Sequence, residues 1–283
     1  MSSLPPGDAI SAAEAHNHGV RNKDVIRFGT RSTEKTNYKD VAMIDYQTTL
    51  LGRTEVAEGT MAFQFEKPSD FVFKAGQYID LTLSGSQPQF GPSNGLTHTF
   101  SIASSLSDEK LVVTTRMRNT LFKQAISTLP IGSPARIEGP MGSFSLHNNT
   151  ARPAVFLAGG IGIAPFLSML CYATEEKLRH SIVLFYANRH LQDAAFIDTL
   201  WKLERDNPRF RFVPTLTRAA NNNGWKGKTG YIGLQMLFAH VGILRGPIYY
   251  IAGPPTMVAA VRRTLTEVGV DEDDIRTEEF AGY

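Results

Sequence analysis

Three closely spaced glycines form the first segment whose residue types and spacing indicate a binding site. Gly159, Gly160 and Gly162 follow an apolar strand pattern, and Pro165 is placed to lie in the first turn of a helix. Glycines at such a turn let the backbone come close to a pyrophosphate, which the amide groups at a helix start can bind. The pattern predicts a dinucleotide-binding turn.

A second segment combines an aromatic ring with a hydroxyl group. It contains His98, Thr99, Phe100 and Ser101 and continues with small residues. The face of Phe100 suits a flat ring system, and the Ser101 hydroxyl can both donate and accept a hydrogen bond. In a regular strand Phe100 and Ser101 point to opposite faces unless the strand kinks. The alternative is that Phe100 is a core aromatic and that Ser101 only ends the strand.

Two further segments have residue types that bind phosphate groups. Arg116 and Arg118 end a strand pattern and precede Thr120 and an amphipathic stretch. Backbone amides at the start of that helix can receive a phosphate, and Thr120 can add its hydroxyl group. A glycine-rich element with Gly139 and Gly142 follows the next strand pattern.

The last part of the sequence repeats the arrangement of a strand, a turn and a helix start. Gly253 and Pro254 lie at that turn, and the sequence then ends with a segment that contains Glu278, Phe280 and Tyr283. Glycine and proline can shape a turn of this kind without help from other side chains.

Taken in order, these segments resemble the ferredoxin-NADP reductase superfamily over about residues 44–283. The resemblance implies a two-domain fold, in which a flavin-binding antiparallel β-barrel domain precedes an α/β domain with a parallel sheet that binds the nucleotide. It also implies that the Ser101 hydroxyl reaches toward flavin N5, that Glu278 is a second catalytic residue, and that Phe280 or Tyr283 covers the flavin.

The resemblance assigns a set of binding residues to this chain. Those expected to bind the flavin or the nucleotide are His98, Thr99, Phe100, Ser101, Arg116, Arg118, Thr120, Gly139, Gly142, Gly159, Gly160, Gly162, Pro165, Arg189, Arg218, Lys228, Gly253, Pro254, Phe280 and Tyr283.

Two positions depart from the family pattern. His98 stands where the family has an arginine that grips the flavin phosphate, and a neutral imidazole offers one donor in place of a charged fork. Arg116 or Arg118 is expected to compensate, which favours FAD and leaves FMN open. Ala252 replaces the usual cysteine of the second turn.

The function implied by the resemblance is that of an enzyme, an NAD(P)H-dependent flavoprotein reductase. It would transfer hydride from NADPH or NADH to FAD and pass electrons to a separate acceptor, namely ferredoxin, flavodoxin or an oxygenase component. One alternative is a reductase of a ferric chelate or another small acceptor. Another is a non-catalytic flavin-binding electron-transfer subunit of a larger complex.

The choice of nucleotide depends on the side chains at the ends of the second and third strands of the nucleotide domain. An acidic residue there favours a free ribose diol, and basic residues favour a 2′-phosphate. Arg189, Arg218 and Lys228 lie in or after these strand ends, which favours NADPH, although solvated loop charges would give the same pattern.

The elements that must position these residues fall into three parts. Residues 1–42 show no sustained period and are expected to form a flexible tail, residues 43–150 a flavin-binding β-barrel domain, and residues 151–283 a nucleotide-binding α/β domain. The predicted strands are 61–65, 77–83, 99–103, 111–116 and 135–138 in the barrel, with 154–158, 181–186, 210–215 and 248–251 in the parallel sheet. The predicted helices are 121–129, one starting at 165, 194–206 and one ending at 268.

Composition excludes several classes of protein. The 283 residues include 29 basic and 27 acidic side chains, and the formal charge of +2 gives no support for nucleic-acid binding. A single cysteine, Cys171, permits neither an internal disulfide nor a cysteine-ligated cluster from this chain alone, and a packing role is expected for it. We expect no metal site, no membrane span and a cytoplasmic location.

Overall fold

A computed structural model describes residues 45–83, 96–218 and 224–280. Residues 1–42, expected to form a tail, lie outside the described residues. The first sheet has six strands in the order β4-β3-β6-β1-β2-β5, and every pairing in it is antiparallel. The edge strands are joined by a bridge between Ile102 and Val113. Its strands are β1 (Asp45–Ala57), β2 (Thr60–Glu66), β3 (Tyr78–Leu83), β4 (Leu96–Ser101), β5 (Lys110–Arg116) and β6 (Pro134–Met141).

The strands of the first sheet alternate buried and exposed residues, because only one face of the sheet packs on the core. In β1, Tyr46, Thr48 and Leu50 are buried between more exposed neighbours. Helix α1 (Leu121–Thr128) packs on the same core through Phe122 and Ile126. The sequence analysis did not predict β1, since its inward-facing positions include a polar threonine and weaken the hydrophobic alternation.

The second sheet is parallel and has the strand order β10-β9-β8-β7-β11-β12. Its central strands β7 and β11 are buried throughout because apolar side chains cover both faces of the sheet. The strands are β7 (Ala154–Gly159), β8 (Ile182–Asn188), β9 (Phe210–Leu216), β10 (Lys228–Thr229), β11 (Ile248–Gly253) and β12 (Ile275–Glu279). The helices are α2 (Ile163–Glu175), α3 (Ile197–Asp206), α4 (Leu234–Val241) and α5 (Pro255–Glu267).

This architecture confirms the predicted fold class of an antiparallel sheet followed by an α/β parallel sheet. Several boundaries differ. The helix expected from residue 194 begins at Ile197, because Phe196 has a left-handed backbone with φ of 59°. Helix α4 and the short strand β10 were not predicted. The α4 sequence is apolar on most sides, so its periodicity gives no clear helical face.

Because the strands of the second sheet are parallel, their carboxyl ends lie on the same side of the sheet, where the connecting turns follow. Ala158 of β7 pairs with Ala252 of β11, so the two glycine turns that follow them are neighbours. Among the described residues, no helix is long and apolar enough to cross a membrane.

Candidate functional site

The two glycine turns pack backbone against backbone. Residues Gly160–Gly162 form a single helical turn that leads from β7 into α2, which starts two residues before Pro165. A Cβ atom at Gly162 would overlap the Ala252 carbonyl group and lie 2.7 Å from Gly253 N. Glycine is required at Gly162 because a side chain would force the two turns apart.

Replacing Gly162 by alanine is therefore expected to lower the melting temperature by about 4 to 8 °C, which corresponds to about 2 kcal/mol. The added methyl group meets backbone atoms of Ala252 and Gly253, which cannot rotate away. Gly52→Ala is the matched control, since its Cβ would meet only the flexible Gln64 side chain at 3.5 Å. Thermal unfolding followed by circular dichroism measures both, and equal melting temperatures for the two variants would contradict the close packing.

A cleft of about 550 Å³ opens above these turns. Its volume lies within the range of small-molecule sites. The buried Asn188 side chain lines it, and its Oδ1 atom has no hydrogen-bond partner among the described residues. The lining residues are Arg116, Arg118, Gly159, Gly160, Ala187, Asn188, Arg189, Asp193, Thr217, Arg218, Tyr231, Ile232, Pro254, Thr256, Met257, Ala260 and Val261.

The structure brings two of the three basic residues expected to read the nucleotide to this cleft. Arg189 and Arg218 line it, and the Arg218 backbone amide donates to the Arg189 carbonyl oxygen at 3.0 Å. Lys228 is exposed on β10 and does not belong to the lining. Tyr231 lines the cleft and is 83% exposed, and no strand or helix pattern in the sequence had marked it.

A second cavity, of about 50 Å³, lies at the end of β4. His98, Phe100 and Ser101 all line it, because Ser101 is the last residue of the strand and no longer follows its alternation. Phe100 also contacts Phe122 in the barrel core, with the ring centres 5.6 Å apart. The remaining lining residues are Thr99, Thr114, Thr115, Arg116, Lys123, Ile161, Ala164 and Phe280.

The small cavity contains one buried polar atom that has no hydrogen-bond partner among the described residues. Thr114 Oγ1 is buried there and makes no hydrogen bond with any described residue. Buried polar groups are nearly always hydrogen-bonded in native proteins, so an unpaired one indicates a ligand or water. Together with the Ser101 hydroxyl, it gives the cavity a donor and acceptor set that fits a polar ring.

Ser101, which lines this cavity, contacts Glu278 although the two residues are 177 positions apart in the sequence. The Ser101 hydroxyl donates to Glu278 Oε2 at 3.3 Å, and pairing of β12 with β11 sets Glu278 opposite Ala252. Burial raises the pKa of the Glu278 carboxyl to about 7, and the hydrogen bond from Ser101 opposes this shift. Glu278 can therefore gain or lose a proton near neutral pH.

The end of the described chain also reaches the small cavity. The Phe280 backbone amide donates to the Gly253 carbonyl oxygen at 3.1 Å, and the Phe280 ring lines the cavity. Tyr283, the other candidate for the aromatic cover, lies outside the described residues. Of the two, Phe280 is the one for which a position next to Ser101 is described.

The other predicted binding residues have different surroundings. Arg116 lines both cavities but forms an ion pair with Asp193 at 3.0 Å. Thr120 caps α1, where its hydroxyl accepts from the Lys123 backbone amide at 3.4 Å. Gly142 packs against the Tyr78 ring, and neither it nor Gly139 is among the described residues that line the two cavities.

Thr99 and Lys123 complete the small cavity. The exposed Thr99 hydroxyl donates to an Asp80 carboxylate oxygen. Lys123 was not singled out by the sequence analysis, because a lysine in an amphipathic helix is normally solvated. It is 8% exposed.

Comparison with known families gives two matches that overlap at residues 156–164. Residues 47–164 match a family described as FAD-binding domain, and residues 156–263 match one described as oxidoreductase NAD-binding domain. The first match contains β4 and α1, and the second contains the glycine turns and the strands that border the large cleft.

Known proteins similar to this chain include components of oxygenase systems. It is 28% identical over 242 residues to the phenol hydroxylase P5 protein of Acinetobacter pittii, covering 83% of this chain and 65% of that protein. It is also 28% identical to the toluate 1,2-dioxygenase electron transfer component of Pseudomonas putida, covering 83% of this chain and 68% of that one. The chain thus spans just under two thirds of the first relative's length.

Solved structures share the fold. A ferredoxin NADP+ reductase from Neisseria gonorrhoeae, with bound FAD and NADP, superposes with a TM-score of 0.68 at 21% identity and covers 83% of this chain and 98% of its own. An Amycolatopsis cytochrome P450 reductase gives 0.70 at 23% identity, covering 84% of this chain and 70% of that structure.

Proposed function

The chain belongs to the ferredoxin-NADP reductase superfamily, and on this premise we propose that it is an NAD(P)H-dependent flavoprotein reductase that delivers electrons to a separate redox protein. The observation that carries the proposal is the contact between Ser101, which lines the cavity at the end of β4, and Glu278, which pairs with Ala252 just before the second glycine turn. This contact supports a site of proton exchange where a flavin ring and a nicotinamide ring would meet.

The residues that line the small cavity suit the polar edge of a flavin ring, and the whole ring would extend beyond the cavity, whose volume is about 50 Å³. When bound there, FAD would supply both hydride acceptance and one-electron release. Ser101 and Thr114 would bind polar atoms of the ring, and Phe280 would shield it from water. Phe100 supports the cavity from the barrel core.

The large cleft fits the nucleotide. Gly159 and Gly160 line it at the end of β7, and the Asn188 side-chain oxygen has no hydrogen-bond partner among the described residues. Arg189 and Arg218 also line the cleft and add positive charge, which favours a phosphate-bearing ribose. We propose that residues 43–150 and 151–283 act as the flavin and nucleotide domains.

The proposed acceptor is a redox protein, with an oxygenase component favoured over ferredoxin or flavodoxin. Support comes from the relatives, whose names describe reductase and electron transfer components of oxygenases. The single cysteine in the 283 residues cannot by itself ligate an iron–sulfur cluster, so a cluster that accepts electrons from the flavin would be bound outside this sequence. A cytoplasmic location is part of the same proposal.

Spectroscopy and steady-state kinetics of the purified chain test this function. We expect a yellow protein with one bound FAD that oxidises NAD(P)H in the presence of ferricyanide. A colourless protein that takes up neither FAD nor FMN would disprove it. Bound flavin without NAD(P)H oxidation would support the non-catalytic subunit instead, and turnover with ferric chelates but with no redox protein would support a small-acceptor reductase.

The nucleotide preference gives a sharper prediction. Replacing both Arg189 and Arg218 by alanine should raise the Michaelis constant for NADPH by about ten- to a hundredfold and leave that for NADH nearly unchanged. The reason is that both side chains line the cleft and only NADPH carries a 2′-phosphate. Lys228→Ala is the matched control, because Lys228 lies outside the lining. Equal losses for the two nucleotides, or a wild-type preference for NADH, would contradict the assignment.

A further inference from the structure

Lys123 is a buried cation whose charge is not neutralised within the described part of the chain. It lies in the first turn of α1, is 8% exposed, and lines the small cavity beside His98. Its Nζ donates to the Arg116 carbonyl oxygen at 2.8 Å, which uses one of its three donors. None of the ion pairs between described residues includes it.

The charges around Lys123 affect its pKa and that of the neighbouring His98. Arg118 lies close enough to lower the pKa of Lys123, although burial is the larger cause. Burial also lowers the pKa of His98, next to which Lys123 acts in the same direction and Asp80 in the opposite one. His98 is therefore neutral near pH 7 and cannot replace the charge of an arginine.

Arg116 and Arg118 were expected to compensate for the arginine that His98 replaces, but neither is an unpaired cation of the small cavity. The Arg116 guanidinium is paired with Asp193 at 3.0 Å. Arg118 lines the large cleft and is not among the residues of the small one. Lys123 is then the buried cation that the small cavity itself contains.

We propose that Lys123 binds the phosphate of the flavin nucleotide, taking the place of the strand arginine that His98 replaces. A buried ammonium group is costly unless an anion compensates it, and a phosphate at the start of α1 would also receive the helix amide groups. Thr120 is the N-cap residue of α1, and its hydroxyl accepts a hydrogen bond from the Lys123 backbone amide. The inference rests on the proposed function, since it concerns the flavin of the same site.

Binding of FAD, FMN and riboflavin to the flavin-free protein tests this role, because riboflavin has the same ring and no phosphate. Lys123→Gln should weaken FAD and FMN binding by about ten- to a hundredfold and leave riboflavin binding within about twofold. Quenching of flavin fluorescence measures the dissociation constants. Lys110→Gln removes an exposed lysine from strand β5 of the first sheet and should change none of the three dissociation constants.

A second substitution separates a lost charge from a damaged fold. His98→Arg in the Lys123→Gln background should recover most of the FAD affinity, since it restores a cation to the same cavity from β4. If Lys123→Gln does not fold, the wild-type protein decides: inorganic pyrophosphate should compete with FAD for the flavin-free protein and should not compete with riboflavin.

Equal losses for riboflavin and FAD, no loss for either, or no recovery with His98→Arg would overturn the role of Lys123. Equal effects of pyrophosphate on the binding of the two ligands would do the same. These outcomes differ from a failure of the proposed function, in which the wild-type protein binds no flavin at all.

Discussion

Replacing Ser101 by alanine is expected to slow the reduction of bound flavin by NAD(P)H about a hundredfold, with little change in the dissociation constant of the nucleotide. The Ser101 hydroxyl is 5% exposed, lines the small cavity, and is oriented by its hydrogen bond to Glu278. A group that acts only on the reacting atom affects the rate far more than it affects ground-state binding.

Single-turnover kinetics under anaerobic conditions measure this effect directly. Ser104→Ala is the control, because Ser104 is equally buried and its hydroxyl only accepts from the Val112 backbone amide. The control should reduce flavin at the wild-type rate. An unchanged rate in the Ser101 variant would remove Ser101 from the reaction.

The fold was predictable from the sequence where local signals were strong. The glycine turn after β7 and the alternation of strands and helices follow from backbone freedom and hydrophobic periodicity. Strand β1 and helix α4 were missed because their periodicity is weak, and the start of α3 was displaced by the left-handed Phe196. No local pattern announces a single residue with positive φ.

The candidate site was predictable only in part, because its geometry depends on contacts between distant segments. The Ser101 and Glu278 contact joins residues 177 positions apart; the family resemblance implied a catalytic role for each residue, but the contact was not predicted. Lys123 looks like an ordinary helix residue in the sequence, and only the fold shows that it is buried and lines the small cavity. Lys228 has a suitable charge and sequence position, but it is exposed on the edge strand β10 and is not among the residues that line the cleft.

Glu278 gives the site a dependence on pH whose direction follows from its surroundings. Burial disfavours the charged carboxylate, so the pKa rises to about 7. Below pH 7 the carboxyl is mostly protonated, and above pH 7 it is mostly ionised and can accept a proton. With FAD bound, the flavin would supply the electron-transfer chemistry, and Ser101 would be placed to relay a proton to the ionised Glu278 carboxylate.

The rate of electron delivery to ferricyanide should therefore fall as pH decreases through about 7, and Glu278→Gln should abolish this dependence. The variant should also be about ten- to a hundredfold slower at pH 8, because glutamine keeps a similar shape but cannot take up the proton. Glu279→Gln, a change at the exposed neighbouring position, should keep the wild-type profile. Stopped-flow oxidation of prereduced protein between about pH 5.5 and 8.5, in steps of roughly half a pH unit, measures the profile. A Glu278→Gln variant that retains the inflection near neutral pH would assign the titration to another group and remove Glu278 from proton transfer.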